Sequence, residues 1–360
     1  MALRGNFESS DRLQISLENA FNFIKSSLNP EGLWSDFLTL AGESVFWVSG
    51  YVGYAILRNG GGHEKESWLN TVGSSILAHQ NADGGWGYGY GVPSDADSTS
   101  WCLLFLSRLG LPSQESREKA LLFLLKHQSH VDGGYRTYAA PRAVGRYMML
   151  DESVSFDGWA SSQVCVTAVA AQALMENNST KGVEEALDYI REGQAAEGYW
   201  NPYWWSGRLY ATVNCMKALK IKANEDDTRL LNRAQKWIAE TQLADESWSD
   251  SPTQEAGWPF STALALNGLI LMPEPSFSDR ILNGVKWLLD RQLTDGSWAP
   301  NHILRIPYPW MKDPWNQSIW KKDGKAINAV IKDHRRLYTT ATAFTALKEY
   351  EKRVLKGEIL

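Results

Sequence analysis

A short motif recurs along the whole 360-residue chain and constrains its fold more than any other feature. Each copy begins with Gln, passes through a turn that usually contains Gly, and ends in Trp or Tyr. Successive glutamines are 48, 66, 48 and 50 residues apart, a spacing typical of stacked helical repeats. The copies span residues 80–86, 128–135, 194–200, 242–248 and 292–298, after a degenerate first copy that ends at Trp34.

The segments between the motifs predict paired helices. Before each motif, apolar residues recur at the spacing of one helix face, over residues 13–28, 66–80, 114–128, 182–194, 227–242 and 278–292. After each motif comes a segment with fewer charges and more small and aromatic residues, over residues 44–58, 98–109, 161–175, 207–220, 259–272 and 336–350. Six such pairs predict two concentric rings with the apolar helices inside. We therefore expect an all-α (α/α)₆ toroid, as one domain over residues 1–360.

Two long loops interrupt this regular spacing, at residues 136–160 and 299–335. Loops of this length without clear secondary structure are commonly lids or binding segments. The inner helices are expected to run parallel, so that all their N-termini lie at the end where the Gly-Trp turns are. Because both loops follow such turns, we predict that they cover a cavity at this end. The Gln and Trp side chains of the turns are predicted to be structural, with Gln bound to backbone groups.

The composition narrows the range of functions. Aromatic residues are dense, at 17 Trp, 14 Tyr and 11 Phe, and a net charge of −5 without a basic run argues against nucleic acid as a partner. No stretch reaches the roughly 18 apolar residues of a transmembrane helix, and residues 1–11 do not resemble a signal peptide, so we expect a cytoplasmic protein. Cys102, Cys165 and Cys215 show no paired short spacing and are expected to be buried free thiols.

A pair of aspartates, Asp95 and Asp97, stands directly before the second inner segment, followed by Ser98 and Thr99. Two interpretations fit this pattern. Asp, Ser and Thr are favoured at helix N-caps, where carboxylates also suit the helix dipole. Paired carboxyl groups are also used for general acid chemistry. The pattern alone favours capping.

The repeats and the aspartate motif together resemble the class II terpene cyclases, which include the squalene–hopene and oxidosqualene cyclases. The resemblance covers the whole chain as architecture. Residues 95–99 resemble the Asp-x-Asp-Asp-Thr motif of that family, except that Ser98 stands where a third Asp is usual. The resemblance implies that Asp97 is the general acid, Asp95 its carboxylate neighbour, and Ser98 and Thr99 its supporting side chains.

Two further residues are implied as neighbours of the acid. Gln163 and Cys165 begin the third inner segment, which resembles a stretch of the oxidosqualene cyclases that carries a Cys bonded to the acid. Cys165 falls one position away from that register, and an ordinary buried helix face is the alternative.

The resemblance implies protonation-initiated cyclisation of an isoprenoid or a prenylated small molecule. Burial and the charge of Asp95 would keep Asp97 protonated, whereas the helix N-terminus would oppose this. A cation formed in the cavity needs the faces of aromatic rings. The candidates near the inner-helix starts are Phe46, Trp47, Tyr51, Trp101, Trp159, Trp204, Trp205, Tyr210, Trp258, Phe260 and Tyr338. A single barrel favours a substrate smaller than a linear triterpene.

No metal or other cofactor is expected unless the substrate carries a diphosphate. In that case Mg²⁺ would be needed, or the loop cations Arg136, Arg142, Arg146 and Arg305. The expected partner is a hydrophobic small molecule. Transient contact with a membrane surface and the oligomeric state are left open.

Three alternative functions are also open at this point. Protein prenyltransferases share the toroid and bind zinc through Asp, Cys and His, but none of the six histidines, His63 among them, lies in an inner segment beside matching residues. Carbohydrate-active toroid enzymes line their mouths with Trp and carboxylates. A non-catalytic binding toroid would keep its function in Asp97→Asn.

Overall fold

The computed structural model describes residues 2–58, 67–249, 256–323 and 326–359, with residues 2–10 described by their backbone alone. His63 and residue 66, where the second outer helix was predicted to begin, lie outside these ranges. The described helices, in chain order, are α1 (Ala2–Ser26), α2 (Phe46–Arg58), α3 (Ser67–Ala78), α4 (Ala96–Leu109), α5 (Gln114–His127), α6 (Arg142–Tyr147), α7 (Val164–Glu176), α8 (Val183–Glu192), α9 (Arg208–Ile221), α10 (Glu225–Glu240), α11 (Pro259–Leu271), α12 (Ser278–Asp290) and α13 (Leu337–Leu355). The all-α fold class is confirmed, although α1 begins at residue 2 instead of 13.

The more apolar helix of each pair lies in an inner ring. Helices α2, α4, α7, α9 and α11 each pack against the next inner helix, and α13 packs against both α11 and α2, which closes the ring. Most residues of these six helices are buried, and in α2, α7 and α11 all but one are. The outer helices α1, α3, α5, α8, α10 and α12 each pack an apolar stripe inward, which in α10 includes Leu231, Ala234 and Ile238. The repeat pattern thus predicted the toroid correctly.

The repeated turns join the two rings. The indole N–H of each described repeat Trp donates to the carbonyl ten residues earlier, on its outer helix, at 2.7–2.8 Å. Each Gln amide donates to its own turn and to the next outer helix, as Gln80 does to Ser116 O at 2.9 Å. Gln292 donates to Ser16 O of α1 at 2.9 Å and so joins the last repeat to the first.

A hydroxyl group near the start of each inner helix fixes the turn from inside. It accepts a hydrogen bond from the backbone N–H of the repeat aromatic residue, at 2.8–3.3 Å. The six hydroxyls belong to Ser49, Thr99, Thr167, Thr212, Thr262 and Thr340. Thr99 of the aspartate motif is therefore one member of a structural series that runs through the whole toroid.

Short strands occur at the end of the barrel where the inner helices begin. They are β1 (Asp36–Thr39), β2 (Gly42–Ser44), β3 (Trp86–Gly87), β4 (Ser94–Asp95), β5 (His302–Ile306), β6 (Lys321–Lys322) and β7 (Ala329–Lys332). β1 and β2 form a hairpin, β3 pairs with β4, and the other three form a sheet in the order β5-β7-β6. β5 and β7 are antiparallel, whereas β6 and β7 are parallel.

Both long loops therefore contain regular structure, which corrects the expectation from the sequence. α6 lies within residues 136–160, and the β5-β7-β6 sheet lies within residues 299–335. These strands are two to five residues long and up to 30 residues apart in the chain, so no local periodicity predicts them. Their backbone groups are satisfied only when the distant segments pair.

The sheet is attached to the barrel and to the other loop. The N–H of Arg305 donates to Trp204 O at 2.6 Å, just before α9. The N–H of Gly158 donates to Pro309 O at 2.8 Å, so that the two long loops meet. Of the described helices, none is both long and apolar enough to cross a membrane.

Candidate active site

An aromatic cavity lies at the end of the barrel where the inner helices begin. The starts of α2 and α4 form one side of it, and the β1-β2 hairpin, the segment around α6 and strand β5 cover it. The space among its lining atoms is about 670 Å³, including the part that is open to solvent. Its lining residues are Thr39, Leu40, Ala41, Trp47, Tyr88, Asp95, Asp97, Ser98, Thr137, Tyr138, Val144, Met148, Trp159, Trp204, Leu304 and Ile306.

Asp95 is the N-cap residue of α4. Its Oδ1 atom accepts a hydrogen bond from the Ser98 backbone N–H at 2.7 Å, and its Oδ2 atom accepts one from the Ser98 hydroxyl at 2.6 Å. Burial raises the pKa of Asp95 to about 7, while the hydrogen bonds from Ser98 oppose that rise. The capping interpretation therefore applies to Asp95, and Ser98 is its partner.

Asp97 lies in the first turn of α4 and lines the cavity. Its Oδ1 atom is buried and has no hydrogen-bond partner among the described residues. Burial raises the pKa of Asp97 well above its ordinary range, and the charge of Asp95 raises it further. Both effects favour the protonated carboxyl at neutral pH, which is the form that a general acid needs.

Trp47 lies on the same cavity wall. Its indole favours the charged form of Asp97 and so lowers the pKa of that group. Within the described structure Trp47 Nε1 is buried without a hydrogen-bond partner of normal geometry. An unpaired donor thus lies beside the unpaired oxygen of Asp97. The Trp47 ring stacks on Tyr88, with ring centroids 5.9 Å apart and an interplanar angle of 24°.

Gln163 and Cys165 contact residues that line the cavity. Gln163 Oε1 accepts hydrogen bonds from the Thr137 hydroxyl at 2.5 Å and from Trp204 Nε1 at 2.8 Å. Thr137 O in turn accepts one from the N–H of Ala96, between the two aspartates, at 3.0 Å. The Cys165 thiol lies against the backbone N–H of Trp204, and burial raises its pKa to about 11. Among the described hydrogen bonds, none joins Gln163 or Cys165 to Asp97.

Three of the eleven aromatic residues considered from the sequence line the cavity, namely Trp47, Trp159 and Trp204. Six others form a stacked cluster that adjoins Trp47. In this cluster the rings of Tyr51 and Tyr338 are 3.8 Å apart and almost parallel. Its members are Tyr51, Trp101, Trp205, Tyr210, Phe260 and Tyr338.

The remaining two aromatic candidates lie elsewhere. Phe46 packs against His79 and Tyr90 and lines a separate surface pocket, because the first residue of α2 turns away from the barrel axis. Trp258 is the N-cap residue of α11 and does not line the described cavity.

Several cavity residues come from segments that the sequence analysis treated only as loops. They are Thr39, Leu40, Ala41, Tyr88, Thr137, Tyr138, Val144, Met148, Leu304 and Ile306. Tyr138 is close to both aspartates, whose charges add to the effect of burial and raise its pKa well above the ordinary range. No alternation of apolar and polar residues marks β5, because Ile303 and Leu304 are adjacent and Arg305 is buried, so no sequence pattern identifies Leu304 and Ile306 as wall residues.

The four loop arginines do not line the described cavity. Arg305 is buried and donates to the carbonyls of Pro202 at 2.7 Å, Tyr203 at 3.1 Å and Pro314 at 3.3 Å. Burial lowers its pKa to about 10. Arg136 and Arg142 donate to backbone carbonyls of their own neighbourhood, and Arg146 is exposed on α6. In the described part of the chain, no three His, Cys, Asp or Glu side chains are grouped so as to hold a metal ion.

Known protein families match this chain in two overlapping regions. The squalene–hopene cyclase C-terminal domain matches residues 148–311, and the prenyltransferase α-α toroid domain matches residues 16–203. A drimenyl diphosphate synthase from Streptomyces showdoensis is 26% identical over 212 residues, which cover 57% of this chain and 36% of that protein. The chain thus spans less than half the length of the curated relatives that it matches.

Solved structures of similar length match more completely. A variant of the type II terpene cyclase MstE from Scytonema, in complex with its substrate geranylgeranyl dihydroxybenzoate, is 26% identical with a TM-score of 0.85, covering 95% of this chain and 98% of that one. Another MstE variant, in complex with the product merosterolic acid A, is 27% identical with a TM-score of 0.86, covering 96% of this chain and 99% of that one.

Proposed function

The chain belongs to the prenyltransferase α-α toroid family, whose match covers slightly more than half of it, and from that premise we propose that it is a class II terpene cyclase with Asp97 as its general acid. The observation that carries the proposal is the buried carboxyl of Asp97 at the wall of an aromatic cavity, whose Oδ1 atom has no hydrogen-bond partner among the described residues and whose pKa is raised well above the ordinary range by burial. The type II cyclase structures that share its fold and length support it.

In this proposal Asp97 transfers its proton to a carbon of a substrate double bond. The π electrons of neighbouring double bonds then form carbon–carbon bonds, and loss of a proton from the final cation yields an isomer of the substrate. The indole faces of Trp47, Trp159 and Trp204 stabilise the cation without reacting with it. The apolar wall from Leu304 and Ile306 keeps water away from it.

The two aspartates would have different parts in this step. The two hydrogen bonds from Ser98 favour the charged form of Asp95 against the effect of burial, and the charge of Asp95 favours the proton on Asp97. After proton transfer the Asp97 anion needs a donor, and Trp47 Nε1 is the unpaired donor beside it. The pKa values of the two carboxyl groups therefore belong to the pair.

The proposed substrate is an isoprenoid or a prenylated small molecule whose chain lies among the aromatic rings. The hydroxyl groups of Thr39 and Tyr138 are polar groups of the same lining that could orient a head group. Whether that head is a diphosphate, and needs Mg²⁺, is decided by the substrate panel below.

The decisive experiment compares wild type with Asp97→Asn. Asn has almost the same shape but has no acidic proton to transfer, so turnover should be lost while the melting temperature stays within a few degrees. Both proteins are incubated with linear isoprenoids of increasing length, free and diphosphorylated, with and without Mg²⁺, and with prenylated hydroxybenzoates. The products are examined for isomers of unchanged mass.

Asp157→Asn is the matched control, because Asp157 is exposed on the loop at residues 136–160 and lies outside the cavity lining. It should cyclise as the wild type does. Equal turnover by Asp97→Asn and wild type would contradict the acid role. Loss of turnover in the exposed control as well would point to general damage rather than to a lost proton.

A further inference from the structure

A second pocket lies at the opposite end of the barrel. The inner helices begin at the cavity and end here, with α2 ending at Arg58, α9 at Ile221 and α11 at Leu271. The side chains of their last turns, with those of α13, line this pocket. Its lining residues are Arg58, Lys220, Asn267, Ile270, Leu271, Glu349, Lys352, Arg353 and Lys356.

The charge in this pocket is strongly positive, although the whole chain carries a net charge of −5. Five cationic side chains line it, against the single carboxylate of Glu349. Arg353 is paired with Glu358 outside the lining. Arg58, Lys352 and Lys356 form no ion pair with any described residue.

The amine of Lys217 lies close to two residues that line this pocket, Arg58 and Glu349. Lys217 lies one turn before the end of α9, where Arg58 lowers its pKa and Glu349 raises it. Burial is the largest effect and lowers the pKa of Lys217 well below its ordinary range. Among the described residues Lys217 has no hydrogen-bond partner. Lys217 is partly buried, and an anion in the pocket would favour the protonated form of its amine.

Helix ends alone do not explain the excess of cations. Each helix C-terminus carries roughly half a negative charge, so four ends offset about half of the surplus in the lining. The ends of α4 and α7 provide a comparison. The cation there, Arg108, is paired with the carboxylate of Glu176 through two hydrogen bonds of 2.9 and 3.0 Å. Of the cations that line the second pocket, Arg58, Lys352 and Lys356 have no such carboxylate partner among the described residues.

We propose that this pocket binds a phosphate-type anion of at least two negative charges, such as diphosphate. Lysine and arginine donors from α2, α9 and α13 converge on it, and the amide of Asn267 supplies a neutral polar group. The site is independent of the cyclase proposal, since it is formed at the other end of the inner helices and its ligand is measured by binding alone.

The test measures the dissociation constant by isothermal titration calorimetry. The full chain is titrated with inorganic diphosphate, and then with inorganic phosphate, at low and high salt. Binding should be tighter for diphosphate and should weaken as salt rises. Lys352→Ala combined with Lys356→Ala should weaken binding by roughly tenfold or more, because two cationic partners are lost. Both residues are exposed on the last turns of α13 or just beyond it, so the fold should tolerate the change.

Lys119→Ala combined with Lys236→Ala is the control, because it removes the same charge from exposed positions on the outer helices α5 and α10, outside the lining of the pocket. It should bind diphosphate as the wild type does. Cosedimentation with vesicles of phosphatidylcholine and phosphatidic acid, a phosphomonoester that can carry two negative charges, separates the two sources of the anion. Binding to these vesicles in preference to free diphosphate, with loss of that binding in the variant at Lys352 and Lys356, assigns a lipid head group. No binding of either ligand, or equal binding by that variant and wild type, would overturn the proposal.

Discussion

At the scale of single residues, two aspartates of one motif differ because only one of them has donors. Asp95 accepts two hydrogen bonds from Ser98 at the start of α4. Asp97, two residues later, points into the cavity, and its Oδ1 atom has no partner within the described structure. Hydrogen bonds favour the charged form of a carboxyl group and burial favours its neutral form. The same residue type can therefore serve as a cap and as an acid within one turn of helix.

Replacing Trp47 by Phe tests the donor beside the acid. Phe keeps an aromatic face at the cavity but removes the indole N–H that favours the Asp97 anion. A hydrogen bond to a charged group contributes about 1.5–3 kcal/mol, so kcat should fall by roughly 10- to 100-fold. Single-turnover kinetics with the substrate found above would measure this change.

Trp101→Phe is the matched control for that change. Trp101 Nε1 is also buried without a partner among the described residues, but Trp101 packs on Tyr51 and Tyr54 and does not line the cavity. The control should lose little activity. Similar losses in both variants would mean that packing of the aromatic cluster, and not the Trp47 N–H, supports the reaction.

Replacing Asp95 by Asn should change how stability depends on pH. An acid whose pKa is higher in the folded protein stabilises the fold most at low pH and loses that contribution as the pH rises through the folded value. For Asp95 the pKa rises from 3.8 to about 7, so the loss spans this interval. Asn also caps helices but does not titrate.

The melting temperature of Asp95→Asn, relative to wild type, should therefore increase as the pH is raised from about 4 to about 8. Asp157→Asn, at an exposed position, should show a nearly constant difference from wild type. If the difference in melting temperature between Asp95→Asn and wild type is also constant, Asp95 is charged over this whole pH range and burial does not raise its pKa.

At the scale of secondary structure elements, the hydroxyl series explains how each inner helix is attached to its turn. Thr99 and Thr262 accept the backbone N–H of their repeat Trp at 3.0 and 3.1 Å. In the resemblance to terpene cyclases Thr99 belongs to the acid motif, yet its counterparts occupy the equivalent position in the other repeats. A structural role in the turn is therefore sufficient to explain why Thr occurs at position 99.

Thr99→Val and Thr262→Val should therefore have similar effects. Val keeps the shape but leaves a buried N–H without an acceptor, which costs about 1–3 kcal/mol of unfolding free energy. Urea unfolding would measure that loss, and turnover per folded molecule should stay close to wild type in both. A selective loss of turnover in Thr99→Val would show that this hydroxyl also serves the acid.

At the scale of the whole molecule, the cavity cover is assembled from segments far apart in the chain. Gly158 N–H and Trp159 N–H both donate to Pro309 O, at 2.8 and 3.1 Å, and the Trp159 indole donates to Pro307 O at 3.2 Å. A Cβ atom at Gly158 would lie 2.1 Å from Met311 O. The two loops can thus meet this closely only because residue 158 has no side chain.

Gly158→Ala should push the two loops apart. We expect a cost of about 1–3 kcal/mol in unfolding free energy, as for other overpacked sites, together with a higher KM because the cover no longer fits. Gly193→Ala is the control, since a Cβ atom there lies 3.2 Å from its nearest neighbour at an ordinary φ of −79°. An unchanged KM for Gly158→Ala, measured beside this control, would contradict a covering role for the contact.

The toroid and the position of the aspartate motif could be predicted from the sequence alone. The Gln and Trp repeats, together with two kinds of helix segment, predict the rings because both signals are local and recur six times. The motif at residues 95–99 lies at the start of an inner helix for the same reason. The resemblance of this motif to that of the terpene cyclases implies that Asp97 is the general acid.

The residues that surround the proposed acid, Asp97, come together only in the folded chain. Strand β5 brings Leu304 and Ile306 to a cavity whose acid is about 200 residues earlier in the chain, and the β1-β2 hairpin adds Leu40. Phe46 and Trp47 are adjacent in sequence, yet one faces outward and the other lines the cavity, because successive residues of a helix point about 100° apart. Hydrogen-bond partners and burial, which separate Asp95 from Asp97, depend on distant chain segments that no local pattern specifies.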